Sequence, residues 1–270
     1  VGGHRSGAAL VSGTIVGTII GGASTVGTAQ LAFSVGLSAW WFTLGAGIAI
    51  IVMGLFYAAP LRESRLQTIP QFLTLHYGPK AGMLACVAAS LGIFFSIVAN
   101  ILSATPLVSA IFQTGPAPAV GFVMALTACY VLFGGVWATG RVGIMKAVLI
   151  YLALIAVGIV TYARMGGWRG FAVAFPPYPW LSLAGRGWST DLAGGLSLVV
   201  GTLTTQTYIQ ALFSARDAKT AQRGAFIAAL ITLPSGIPAV MVGMFMRLHH
   251  PDIAPIDALP LFVLTYLPAW

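Results

Sequence analysis

Gly21-Gly22-Ala23-Ser24-Thr25-Val26-Gly27-Thr28-Ala29-Gln30 is a run of small and polar residues set in apolar sequence. No charged residue occurs from Ser6 to Leu61, so the run lies inside a membrane-type segment and not on a wetted surface. Lipid cannot hydrogen-bond a backbone. Loosened backbone at membrane depth survives only inside protein or along a wet cavity. Transporters use such interruptions to offer carbonyls and half-helix ends to ions and solutes. The stretch predicts an integral membrane protein whose first span carries a binding site.

The composition agrees. Charged residues are 7% and hydrophobic residues 58% of the 270-residue chain, against roughly 25% and 45–50% in ordinary globular domains. The uncharged stretches 6–61 and 81–140 each hold two helical spans, at about 20 residues per span. The first is too long and too glycine-rich for a cleaved signal peptide. The net charge of +8 comes from basic residues scattered singly between apolar runs, which points to membrane topology and not to nucleic acid. Cys86 and Cys129 sit in separate apolar segments and read as small buried hydrophobes.

Seven membrane segments are predicted, at about 8–34, 38–60, 80–112, 118–139, 143–163, 191–213 and 222–247. The apolar runs are continuous and lack the alternation of a membrane barrel. Nine of the thirteen basic residues fall on one side: Arg5, Arg62, Arg65, Lys80, Arg141, Lys146, Arg216, Lys219 and Arg223. Lysine and arginine collect in the cytoplasm, so the links 61–79 and 214–221 and the N-terminus are expected there, in a cell (inner) membrane. Segment 164–190, with Trp168, Trp180, Trp188 and Tyr178, is expected as an external loop packed at the interface. The sixth segment echoes the first: Ala193-Gly194-Gly195 leads to Gly201-Thr202-Leu203-Thr204-Thr205-Gln206. Two interrupted segments five spans apart fit a repeat-built transporter.

Four stretches carry a resemblance over nearly the whole chain. They are Gly17-Thr18-Ile19-Ile20-Gly21-Gly22-Ala23-Ser24-Thr25-Val26-Gly27, Thr68-Ile69-Pro70-Gln71-Phe72-Leu73, Gly134-Gly135-Val136-Trp137-Ala138, and Tyr208-Ile209-Gln210 with Ala215-Arg216-Asp217-Ala218-Lys219-Thr220-Ala221-Gln222-Arg223-Gly224. In their order and spacing the chain resembles the sodium/solute symporter family. The resemblance implies an all-α integral membrane protein with the leucine-transporter-like inverted-repeat fold of the APC superfamily, residues 1–270 forming one transmembrane domain. Core helix one would be 8–34 and core helix six 191–213. Asp257 to Pro268 looks like the lead-in to core helix eight, so a fragment of a longer gene is expected.

The family's principal sodium site takes backbone carbonyls that align with Ala23 and Val26; its hydroxyl ligands lie in core helix eight. The solute candidates, matching or facing, are Thr25, Gly27, Gln30, Thr43, Asn100, Thr202, Thr205 and Gln206. Gln30 and Gln206 lead, because a buried amide offers donors and an acceptor and is costly unpaired. Each could instead bond a neighbouring helix, and Gly13, Gly17 and Gly21 recur every four residues as close-packing positions do.

Two departures stand out. Many members carry Thr-Asp-x-x-Gln where this chain has Val142-Gly143-Ile144-Met145-Lys146, and an arginine where it has Ala211. Lys146 has two readings: a side chain that snorkels to the cytoplasmic interface, or an ammonium that points to the ion pocket and replaces or modulates the ion. His249, His250 and Asp252 read as an interfacial loop and not a metal site.

The expected function is sodium-coupled symport of a small organic solute by alternating access, with sodium, solute and the lipid bilayer as partners. A proton-coupled or ion-independent carrier using Lys146 is the alternative, as is a transporter-derived sensor. With no acid among the candidates a strongly cationic solute is disfavoured, and half-helix N-termini favour an anion or zwitterion. An enzyme is not expected, because all five acids lie at span ends or in loops. A seven-helix receptor would place its N-terminus on the opposite side.

Overall fold

The computed structural model describes residues 6–267. Within that range the side chains of 130, 131 and 133–142 are not described. Arg5, Arg141 and the Gly134–Ala138 motif therefore lie outside the described backbone or side chains. Among the described residues the chain is helical, with no sheet strand.

The first predicted segment folds as two helices, α1 (Ala8–Ile19) and α2 (Gly22–Val35). A 3-10 turn at Gly36–Trp40 leads into α3 (Trp41–Val52), a π turn at Met53–Tyr57 and α4 (Ala58–Glu63). The π turn has a local cause. Pro60 lacks an N–H and crowds the carbonyl four residues back, that of Phe56, so the preceding turn widens. Then come α5 (Ile69–Tyr77), α6 (Pro79–Phe112), α7 (Pro116–Arg164) and α8 (Trp168–Ala174). The sixth predicted segment is again two helices, α9 (Trp188–Thr204) and α10 (Gln206–Ser214), followed by α11 (Ala218–His249) and α12 (Ala258–Tyr266).

Among the described residues, four stretches can each cross a membrane by length and composition: Gly22–Glu63, Pro79–Phe112, Gly143–Arg164 and Ala218–His249. Ala8–Ile19, the described stretch Pro116–Cys129 of α7, and Pro255–Tyr266 are shorter apolar stretches. The boundary expected near residue 140 is absent, and α7 covers both the fourth and fifth predicted segments. No proline interrupts residues 119–164. The link 61–79 is also partly helical, since α4 reaches Glu63 and α5 fills its second half.

α11 is the post around which the bundle is built, and its glycines set how closely its neighbours approach. A Cβ on Gly224 would lie 2.7 Å from Val11 of α1, one on Gly236 would overlap the Thr43 hydroxyl of α3, and one on Gly243 would overlap the Ala29 carbonyl of α2. Pro234 and Pro238 interrupt the α11 ladder midway. There the Leu233 carbonyl accepts from Trp40 Nε1 at 2.9 Å and the Ile231 carbonyl from Tyr151 at 2.5 Å.

The two ends of the bundle differ. At one end Ser6, Arg62 and Ala215–Arg216 clasp one another. Ser6 N–H donates to Ser214 at 3.2 Å, Arg216 N–H to Ser6 at 3.1 Å, and the Arg62 guanidinium to the Ala215 and Arg216 carbonyls. At the other, segment 164–190 lies over the end of α2. Leu37 N–H donates to Trp180 O at 2.8 Å, and Trp41 Nε1 to Leu183 O at 2.8 Å. Gly36 has φ +67, and a Cβ there would run into the Trp180 carbonyl, so no other residue fits this junction. Cys86 and Cys129 are unpaired but exposed, which corrects the expectation that they are buried. They lie on α6 and α7, whose outer faces carry exposed Met83, Leu84, Val87, Phe94, Phe95 and Leu126.

Candidate functional site

The break between α1 and α2 falls at Ile20 and Gly21, both in extended conformation. Ser24 fixes it. Its Oγ accepts the Gly21 N–H at 2.9 Å and donates to the Gly21 carbonyl at 3.0 Å, while Thr25 Oγ1 donates to the same carbonyl at 2.8 Å. These hydroxyls cap α2 from within, which is why a Gly-Gly-Ala-Ser-Thr run stops one helix and starts the next. The last four carbonyls of a helix have no partner in it. Here Ile20 N–H still reaches Val16 O, so Gly17, Thr18, Ile19 and Ile20 are the ones released.

Two helices cross this point. α6 passes beside it, with Asn100 Oδ1 3.1 Å and Ser103 Cβ 2.7 Å from the positions that Cβ atoms of Gly21 and Gly22 would occupy. α7 passes just before it. A Cβ on Gly17 would be 2.7 Å from the Gly143 carbonyl, and one on Gly13 2.5 Å from Ile144. The close-packing role of Gly13 and Gly17 is therefore real. Lys146 follows one turn along α7, and its Nζ donates to the Gly17 carbonyl at 3.2 Å.

The second break is at Thr205, extended between α9 and α10. Its Oγ1 donates to Gly201 O at 2.6 Å, and Thr204 Oγ1 donates to Val200 O at 2.9 Å. Gln206 begins α10. Its Oε1 accepts the Ile69 N–H of α5 at 2.9 Å, and its Nε2 is buried without a partner among the described residues.

Thr205, at the second break, lines two cavities, and the last turn of α1 reaches them through Thr18 and Ile19, while Ile20 and Gly21 line neither. A cavity of about 1160 Å³ is walled by Thr18, Asn100, Thr205, Gln206 and Tyr208, with Phe56, Tyr57 and Phe72 on its far side. A smaller one of about 220 Å³ lies between Ile19, Ala46, Thr202, Thr205 and Tyr208. Among the described residues no charged side chain lines either.

The candidates read from sequence divide. Asn100, Thr202, Thr205 and Gln206 line these cavities. Asn100 also donates back to Ser96 O at 2.8 Å. Thr25 belongs to the cap of α2. Thr43 is fully buried in the α3–α11 contact against Gly236, away from both cavities, because that glycine lets the helices close over it. Gln30 is exposed and lines neither cavity. It shares an open stripe of α2 with Ala23, Gly27 and Ser34, set by the 3.6-residue turn, and a Cβ on Gly27 would meet nothing within 4 Å. Ala23 and Val26 lie inside α2, so their carbonyls face its own N–H groups, and the Val26 side chain is buried with Phe33, Val157 and Phe245. Gly21, the last residue of the break, lies two residues before Ala23 and five before Val26, the carbonyls expected to hold sodium. His249 pairs with Phe245 O and His250 with the Tyr266 hydroxyl, each at 2.9 Å.

Sequence reasoning missed Thr18, Tyr57, Phe72, Ile69 and Tyr208. Thr68 caps α5 through Gln71 N–H at 3.2 Å, with Pro70 behind it. That helix-start signature was legible, and it marks 69–73 as a wall of the site and not a plain link.

The sequence model of the sodium:solute symporter family matches residues 1–255. The chain belongs to the sodium:solute symporter family. It is 27% identical over 252 residues to the human high affinity choline transporter 1, covering 90% of this chain and 43% of that protein. It is 25% identical over 218 residues to the uncharacterized symporter YwcA of Bacillus subtilis (77% and 42%). A monocarboxylic acid transporter of Corynebacterium glutamicum is 27% identical over 172 residues (60% and 31%). The chain thus spans less than half the length of these relatives. The symporter family and these relatives are membrane transporters, not enzymes.

Proposed function

We propose that this chain forms part of a sodium-coupled symporter for a small organic solute, working by alternating access in a leucine-transporter-like arrangement within the cell membrane. The observation that carries this is the pair of broken helices, α1–α2 and α9–α10, with the end of α1 at Thr18 and the break at Thr205 lining one cavity. Each break exposes carbonyls that a cation can use and a helix start that favours negative charge. In this conformation the carbonyls available to sodium are those of Thr18 to Ile20. Ala23 and Val26 come into reach if the first turn of α2 unwinds.

Choline is the first solute to test. The relatives named for it support this, as does the aromatic wall of Phe56, Tyr57, Phe72 and Tyr208. Ring faces attract a quaternary ammonium by about 0.5–2 kcal/mol each without any carboxylate. That answers the objection drawn from the absence of acids. A monocarboxylate is the control, since one relative carries that name. The full-length protein that contains this chain, in liposomes and given labelled choline and an inward sodium gradient, should accumulate it above the level reached with potassium. Accumulation of pyruvate in place of choline would move the solute class, and accumulation of neither would remove the symport reading.

One observation favours a second reading of the coupling. The Lys146 ammonium sits on the Gly17 carbonyl, at the C-terminal end of α1. A charge inside a span costs on the order of 3 kcal/mol, and the negative end of a helix dipole returns up to about 2 kcal/mol in partly buried geometry. The lysine is thus a tethered cation where a mobile one would gather. Substituting Lys146→Gln should make uptake depend more steeply on sodium and less on pH. Unchanged dependence on both would leave Lys146 a packing and snorkelling residue.

A further inference from the structure

Gln206 has two ends with different tasks. Its Oε1 accepts the Ile69 N–H at 2.9 Å. A backbone N–H can only meet an acceptor, so this bond fixes which end of the amide is oxygen. The Nε2 is therefore committed to the other direction. It is buried without a partner, on a residue only 9% exposed that lines the large cavity. A buried donor left unpaired is unfavourable, and a ligand that supplies the acceptor removes the penalty. Ile69 is the first residue of α5, so the same amide holds the start of a helix in the expected cytoplasmic link.

The geometry points to Gln206 as a specificity-determining residue that also ties the cavity to α5. Nε2 donates to an oxygen on the solute while Oε1 latches the Ile69 N–H. The solute class follows: a small molecule with a hydroxyl, carbonyl or carboxylate oxygen on a largely apolar body. An analogue without that oxygen leaves the donor unpaired and is rejected. Because one amide serves both ends, a solute that draws Nε2 inward strains or releases α5, and cavity occupancy is felt at the cytoplasmic link. This inference rests on the cavity's being the solute site.

The test uses the full-length protein that contains this chain, in detergent, and two probes of nearly equal shape. They are choline and propyltrimethylammonium, which carries a methyl group in place of the hydroxyl. Competition binding gives the preference, and hydrogen–deuterium exchange over residues 66–73 reads the latch. Wild type should prefer choline by about two- to tenfold, the worth of one hydrogen bond. Gln206→Met should lose the preference and speed exchange at Ile69. Gln206→Glu should keep Ile69 protected, because a carboxylate still accepts its N–H. A preference that survives Gln206→Met, or Ile69 exchange that does not change in it, overturns the proposal. If wild type binds neither probe, the choline reading fails by itself. The Gln206 proposal then stands on faster Ile69 exchange in Gln206→Met with protection kept in Gln206→Glu, and falls without that contrast.

Discussion

Asp217 precedes α11 and caps it. Its carboxylate is held below the usual carboxylate range. The Thr220 backbone N–H, 2.7 Å from Oδ1, is the largest cause; it acts against a desolvation cost and is helped by the Thr220 hydroxyl at 3.0 Å and the Arg216 guanidinium at 3.1 Å. A pKa lowered in the folded state gives stability that is present above the unfolded value, near 3.9 for aspartate, and is lost as pH falls through the folded value. The Asp217→Asn variant keeps a capping oxygen but has no titrating group. The melting temperature of wild type should therefore fall relative to Asp217→Asn between about pH 4 and the lowered folded value, with no relative change from pH 6 to 8. Parallel melting curves in detergent across that range would show that the charge adds nothing to the cap. The signal for this cap, an aspartate three residues before Thr220, was in the sequence. What was not there is that Arg62 reaches across to the Ala215 and Arg216 carbonyls and holds the turn in place.

Among the elements, α11 and α2 give a matched pair of glycines. A Cβ on Gly243 would overlap the Ala29 carbonyl and sit 2.7 Å from Ala32 Cβ, and neither neighbour is a flexible side-chain end. Gly243→Ala should destabilise by about 1–3 kcal/mol through overpacking. Gly27→Ala meets nothing, so it should be neutral or gain up to about 1 kcal/mol of helix propensity. Thermal unfolding of both variants checks the contrast. Uptake adds a second readout: if the open stripe at Gly27 and Gln30 touches the solute, Gly27→Ala weakens uptake while leaving the melting temperature intact. The same comparison shows what local sequence can say. Both helix breaks were legible, because Gly-Gly-Ala-Ser-Thr and Gly-Thr-Leu-Thr-Thr offer hydroxyls that compete with the ladder. Which glycines pack and which stay open was not, because that depends on the helix that arrives opposite. For the same reason Thr43 and Gln30 could not be placed: a polar residue in an apolar segment looks alike whether it faces a cavity, a neighbour or the outside.

At the scale of the molecule, the two ends of the bundle carry the topology. Ser6, Arg62 and Ala215–Arg216 come from three separate parts of the chain and meet at one end, while segment 164–190 covers the end of α2 at the other. The charge count had already put the first group on a single side, and the clasp brings its members into contact. Which side that is follows only from the excess of lysine and arginine, with nine of the thirteen basic residues in that set. A cysteine at Gln67 and one at Ser189 should then label from opposite faces, since both positions are exposed and lie on either side of the bundle. Cys86 and Cys129 are themselves unpaired and exposed, so both must be replaced first. In intact cells a membrane-impermeant maleimide should modify Ser189→Cys and reach Gln67→Cys only after the membrane is permeabilised. The reverse pattern would place the clasp and α5 outside. The Gln206 latch would then report cavity occupancy to the external face, and inward transport would have to release solute at the segment 164–190 end.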